Sequence, residues 1–124
     1  MLVALASTGE GAGARVSQVF ARCPFYVFHD TGTGEYESMP NPALEQPGGA
    51  GVRAAELICN RGAEAVIAGN FGPKAFSVLL GAGARCFRSG ELTLAEAVEA
   101  LSGGKLEELS SASTDAHYGT TGAS

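Results

Sequence analysis

Tryptophan is absent from this chain of 124 residues, histidine occurs twice and cysteine three times. Cys23, Cys59 and Cys86 lie far apart, and no CxxC pair occurs. That excludes a zinc ribbon, a thioredoxin-type redox motif and a metal cage built on closely spaced thiolates. An odd number of unpaired cysteines points to a reducing compartment. The apolar start, residues 1–6, is short and has no basic flank, so it reads as a strand rather than a signal peptide, and a cytoplasmic location is expected. No stretch approaches the roughly 20 apolar residues of a membrane helix. Basic residues are also few: 8 against 13 acids give a net charge of −5, which disfavours general binding to a nucleic-acid backbone. Charged residues make up only 17% and hydrophobic residues 45%, so the chain has the apolar content to fold as one domain.

Glycine is what the chain has in excess, with 18 residues, and the glycines punctuate its apolar runs. Residues 2–6 read as a strand buried on both faces, followed by a glycine-rich loop over 7–13. Residues 16–23 carry Val16, Val19 and Phe20 at helical spacing but are too short to decide. Residues 25–29 form a second strand, a turn follows at 30–34, and 35–39 reads as its edge partner. Pro40, Pro42 and Pro47 then forbid regular structure. Helices are predicted over about 52–60, from Pro73 to Gly81, and after the capping box of Thr93 and Glu96. Strands are predicted at 65–68 and 85–88. The order β-β-β-α-β-α-β-α predicts an α/β fold: a mixed five-stranded sheet with helices on its faces. Residues 1–109 form the single domain, and 110–124, poor in groups to bury, read as a disordered tail.

Three glycine-rich loops carry the chemistry. Gly9-x-Gly11-x-x-Ala14 after the first strand, with Asp30 about twenty residues on, outlines a dinucleotide fingerprint. The chain before Pro24 is short for the helix that such a site needs, so a plain loop or a contact to another ligand stays open. Gly48-Gly49-Ala50-Gly51 opens a helix, where converging amides and the helix dipole favour an anion. Gly69-Asn70-Phe71-Gly72-Pro73-Lys74 also leads from strand to helix, without P-loop spacing but with amides and Lys74 at the helix start. Loops following parallel strands share one sheet edge, so the three are expected to converge. Arg15, Arg22, Arg53 and Lys74 sit in or beside them, which suggests a local anion site in an acidic protein.

Catalytic groups are sparse. His29 ends a strand and reads as structural, and His117 falls in the tail. No Ser-His-Asp order stands out. Cys23, next to Arg22, is the one thiol whose pKa a neighbour is expected to lower, and the one candidate for a direct metal ligand. Cys59 and Cys86 read as core residues. The first strand has no carboxylate, which argues against a two-metal nuclease.

Taken in order, the motifs resemble a known family. Val16-Ser17-x-x-Phe20-x-Arg22-x-Pro24-Phe25-Tyr26-Val27, Asn41-Pro42 with Gly48-Gly49-Ala50-Gly51, and Val66-Ile67-Ala68-Gly69 through Gly72-Pro73-x-Ala75-Phe76 are similar to stretches of the dinitrogenase iron–molybdenum cofactor biosynthesis family. The similarity covers about residues 2–109. It implies a ribonuclease-H-like α/β fold without nuclease activity, and a carrier of metal–sulfur clusters rather than an enzyme. The compact chain looks most like the stand-alone orange proteins, which hold a molybdenum–copper sulfide cluster non-covalently; an iron–molybdenum-type cluster is the related cargo. Alanine at position 21 replaces the family's glycine, and no histidine or cysteine ligand stands in the Gly48 or Asn70 loops. The site then consists of Arg15, Phe20, Arg22, Gly48, Gly49, Ala50, Gly51, Asn70, Phe71, Gly72, Pro73 and Lys74. Two other readings stay open. One is a nucleotide- or phosphate-binding module or small enzyme using the same loops, and the other is an interaction protein with no cofactor. The expected partners are the cluster and unnamed delivery proteins, with no membrane or nucleic acid, and the chain a monomer or weak dimer.

Overall fold

The computed structural model describes residues 1–110. One sheet organises them, in the order β3-β2-β1-β4-β5-β6. β1 (Leu2–Ser7) lies at the centre, antiparallel to β2 (Phe25–Asp30) and parallel to β4 (Ala65–Ala68). β2 continues outward to the edge strand β3 (Tyr36–Pro40), and β4 to the parallel β5 (Arg85–Arg88). The predicted β-β-β-α-β-α-β-α order is present. The strand count differs by one: Glu107–Glu108 adds a short antiparallel β6 against β5. Arg85 holds it there through a two-pronged ion pair with Glu108, at 2.6 and 2.9 Å. Two adjacent glutamates carry no apolar signal, which is why the sequence hides this strand.

β4, and β1 as far as Ala6, are all-apolar runs because both of their faces are covered. Ala4, Ala6, Val66 and Ala68 face α1 (Ala50–Asn60) and α2 (Pro73–Gly81) across a core that also holds Phe20, Tyr26, Phe28, Ile58, Phe76 and Leu79. Val3, Leu5, Ala65 and Ile67 face the other way, toward Leu94, Ala97 and Val98 of α3 (Leu94–Ser102). The alternation follows from the two-residue period of a strand. Burying each large side chain contributes on the order of 1.5–3 kcal/mol.

No helix follows the Gly9 loop. Val16 pairs with Ser7 in an isolated bridge, the chain makes a single 3₁₀ turn at Phe20–Arg22, and β2 returns antiparallel. The dinucleotide fingerprint lacks the crossover helix that gives it meaning. Ser17 extends the sheet instead: its amide donates to Ala6 O and its carbonyl accepts from Gly69 N. The expected tail, apart from Ser110, lies outside the described residues, and so does His117. No described helix is long and apolar enough to cross a membrane.

Candidate cluster-binding site

Two helices begin side by side. α1 starts two residues earlier than its apolar pattern suggests, because Gly49 adopts a left-handed conformation (φ 72°) and turns the chain directly into the helix at Ala50. α2 starts after Gly72, with Pro73 in its first turn. Between the starts lies a pocket of about 300 Å³, lined by Ala21, Arg22, Gly49 to Val52 and Gly72 to Ala75. The walls meet at Gly51. A Cβ there would lie 3.2 Å from the Ala75 Cβ and 3.3 Å from the Ala21 Cβ, so a larger residue would pry the walls apart.

Neither helix has a side-chain cap or an acid in its first turn. Arg53 N and Phe76 N are the first amides to find carbonyl partners, at Gly49 O and Gly72 O. Among the described residues, the amides of Ala50, Gly51, Val52, Lys74 and Ala75 meet no acceptor outside their helices. All five residues line the pocket. Arg22 and Lys74 add positive charge at its rim, and the remaining lining is glycine, alanine, valine and proline. A helix start leaves its first amides without partners and carries a partial positive charge, so two starts facing one pocket favour an anion there.

The third wall is the 3₁₀ turn, not the Gly9 loop that was expected to converge here. The Gly9 loop turns to the opposite side, where Gly11 N donates to Ser38 Oγ and the carbonyls of Ala12 and Ala14 accept from Ala95 N and Leu94 N at the start of α3. Arg15 goes with it. Its guanidinium donates to Glu91 O at 2.8 Å, and its backbone bridges Thr93. The predicted loop set therefore splits: Arg22, Gly49, Ala50, Gly51, Gly72, Pro73 and Lys74 come together, and Arg15 does not join them. Gly48 precedes the lining, with its carbonyl engaged by Gln46 Nε2.

Phe20 and Phe71 lie beneath the pocket rather than in it. Both are buried, stacked with ring centroids 5.4 Å apart, and Phe71 continues edge-on to Phe76. Asn70 spends its side-chain amide on Gln18 O, and its carbonyl accepts from Phe20 N. These contacts tie the α2 loop to the 3₁₀ segment. The tie explains Gly69, where a Cβ would fall 2.6 Å from the Gln18 Cα.

Cys23 corrects an expectation. Arg22 does not lower its pKa; burial dominates and pushes the thiol up to about 11. Its Sγ is fully buried and donates to Phe20 O, facing away from solvent. Burial likewise pushes Cys86 up to about 12 and raises Cys59. The described residues include no group of three or more histidine, cysteine or carboxylate side chains arranged to hold a metal ion. Sequence reasoning missed Ala21, Val52 and Ala75 as lining residues, since small apolar side chains carry no functional signal of their own. It also missed Asn41, a buried amide that holds the third wall. His29, read as structural, is buried in β2 against Tyr36, with ring centroids 4.2 Å apart, remote in sequence from every lining residue except Ala21 and Arg22.

Comparison with known proteins agrees with this architecture. The family model described as dinitrogenase iron-molybdenum cofactor matches residues 1–104. An uncharacterized protein of Methanocaldococcus jannaschii is 33% identical over 97 residues, 76% of this chain and 82% of its own. The apo orange protein of Desulfovibrio gigas superposes with a TM-score of 0.87 at 30% identity, covering 91% of this chain and 96% of that one. A NifB-like protein from Thermotoga superposes at 0.80 with 33% identity, over 92% and 97% of the two chains. With the family model spanning nearly the whole described domain, the chain belongs to the dinitrogenase iron-molybdenum cofactor family.

Proposed function

We propose that this protein is a non-catalytic carrier of an anionic metal–sulfur cluster, molybdenum-containing and of the molybdenum–copper sulfide or iron–molybdenum type. The cluster is cargo, seated between the starts of α1 and α2. The observation that carries the reading is the set of five uncapped amides lining one pocket together with Arg22 and Lys74. The likeness to the orange protein and the family membership support the choice of cargo. The strand order, with β2 antiparallel to its neighbours, supports the ribonuclease-H-like reading of the fold.

The donor set argues for non-covalent holding. All three described thiols have pKa values raised by burial, and none lines the pocket, so the cluster keeps its own sulfides as ligands. Backbone amides and guanidinium groups donate to sulfide through charge-assisted hydrogen bonds. The lining also separates this cargo from phosphate. Ala21, Ala50, Val52, Pro73 and Ala75 replace little of the water a compact oxyanion would give up, whereas a bulky cluster with diffuse charge loses less by entering. A nucleotide- or phosphate-binding role for the same loops is therefore the weaker reading.

Protein purified from its native source should contain molybdenum by elemental analysis and absorb visible light. Apoprotein should take up tetrathiomolybdate with copper and gain the same absorption. Metal-free native protein that also takes up nothing in vitro contradicts the proposal.

A further inference from the structure

The lining residues do not hold themselves in place. Ala21 and Arg22 belong to a single 3₁₀ turn of three residues, without a side-chain cap. So short a turn has few internal hydrogen bonds to fix it. Its carbonyls are engaged from outside. Tyr26 Oη donates to Phe20 O at 2.5 Å from within the core. Asn41 Nδ2 donates to two carbonyls at once, Ala21 O at 3.2 Å and Cys23 O at 2.9 Å. On its other side Asn41 Oδ1 accepts from Ala43 N at 2.9 Å. Two acceptors on one flank and a donor on the other fix which way the amide faces.

Asn41 is 7% exposed, one of four buried polar residues in the described domain. Its backbone is also committed: Asn41 N donates to Pro24 O at 2.9 Å, and Asn41 O accepts from Leu44 N. The residue thus connects two walls of the pocket. One is the Ala21–Arg22 turn. The other is the loop that runs from residue 41 to the left-handed Gly49 and so into α1. Arg22 makes a second, longer link between them, donating to Leu44 O at 3.4 Å. The clamp has an electrostatic effect as well. Carbonyl oxygens of Ala21 and Cys23 that are held by Asn41 cannot turn toward an anion, and the turn shows the pocket its alanine methyl and its guanidinium.

We propose that Asn41 is the positioning residue of this pocket, fixing the Ala21–Arg22 wall against the loop that enters α1 without touching the cargo itself. The inference rests on the cluster-carrier reading of the pocket. Its test combines two readouts on the full chain. Amide hydrogen exchange reports the turn directly, and titration with tetrathiomolybdate reports the pocket. In Asn41→Ala, exchange at Arg22 and at residue 41 should accelerate about tenfold while Ala54 and Ile58 within α1 keep their protection, and tetrathiomolybdate affinity should fall about tenfold, a loss of about 1.4 kcal/mol. Asn41→Ser keeps an acceptor for Ala43 N and lacks the amide donor, so it should behave alike if the alanine variant does not fold. Ile67→Ala, in the core of the α3 face, is the control for general destabilisation: its melting temperature should drop while affinity holds.

Unchanged exchange at Arg22 overturns the positioning role. So does accelerated exchange with wild-type affinity, or an affinity loss that Ile67→Ala reproduces. Wild-type protein that binds no tetrathiomolybdate while Asn41→Ala still loosens the turn overturns the carrier reading instead, and takes the link between Asn41 and the cargo with it.

Discussion

α3 and the pair α1–α2 begin in opposite ways. At α3 every first-turn donor has a partner. Leu94 N and Ala95 N reach the carbonyls of Ala14 and Ala12, Glu96 N reaches Thr93 Oγ1 at 3.1 Å, and Glu96 returns the bond to Thr93 N at 2.9 Å. The Glu96 carboxylate also sits where the helix dipole favours it, and those bonds hold its pKa below the usual carboxylate value. α1 and α2 have glycine at the cap, no acid in the first turn and, among the described residues, no acceptor outside their helices for the amides of Ala50, Gly51, Val52, Lys74 and Ala75. A small domain gains about 1 kcal/mol from each good N-cap. Leaving two helices open on one pocket while closing the third fully is what a binding site requires, and stability alone does not explain it.

The largest effect is expected at the seam behind the open starts. Gly69→Ala puts a methyl 2.5 Å from Gln18 Oε1 and 2.6 Å from the Gln18 Cα, and the backbone contact cannot relax by a rotamer change. A loss of roughly 1–3 kcal/mol or more in urea unfolding is expected. A neutral result would show that the two segments are not in contact.

Next are the cations at the open starts. Arg22→Ala and Lys74→Ala should each weaken uptake of tetrathiomolybdate with copper by about 1–3 kcal/mol without unfolding the protein, as measured by titration and melting. Arg88→Ala, on β5 and outside the pocket lining, is the control. Arg15→Ala is expected to behave like the control, because the Arg15 guanidinium is engaged at Glu91 O near the closed start. Equal uptake by all four variants removes the pocket from the account.

At the closed start the effect is on stability alone. Thr93→Ala should cost about 1 kcal/mol in denaturant unfolding and leave cluster uptake unchanged. The pH dependence follows from Glu96. Its folded pKa lies below the unfolded value near 4.5, so its contribution is complete above pH 4.5 and fades as pH falls through the lower folded value. Stability curves of wild type and Glu96→Gln, which lacks the titrating carboxylate, should therefore converge on acidification. A constant gap would mean that the cap does not act through the carboxylate.

The smallest effect on binding is expected at Cys23. Cys23→Ser should retain uptake, since the thiol is protonated, buried and turned to Phe20 O. Loss of all metal in a folded Cys23→Ser variant would make it a ligand.

Much of this contrast was legible in the sequence, for unequal reasons. Thr93 and Glu96 announce a capping box by spacing alone, and the apolar runs at 2–6 and 65–68 announce buried central strands. The glycines before Ala50 and Pro73 announce open helix starts. What the sequence did not disclose depends on contacts distant along the chain. Arg15 is as basic and as near a glycine loop as Arg22, yet Ser7–Val16 pairing swings its loop to the α3 side. Neighbouring charge suggested a reactive Cys23, but the thiol lies in the core cluster with Phe20 and Tyr26, and burial is the dominant influence on its pKa. Asn41 stands in a proline-rich connection and enters the sequence reading only as part of the Asn41-Pro42 motif; its role appears only when Ala21 O and Cys23 O are found on its side-chain amide.

Exchanging one kind of helix start for the other separates capping from binding. Gly72 has φ −72° and ψ 158°, an extended conformation open to any residue and typical of an N-cap. Gly72→Asp would give α2 the acceptor and the negative charge that α3 already has. Melting temperature and tetrathiomolybdate–copper uptake should be measured on the same preparation. The expected result is a protein at least as stable as wild type, gaining up to about 1 kcal/mol, that no longer takes up the cluster. A capped, stable Gly72→Asp protein that binds the cluster as wild type does would contradict it.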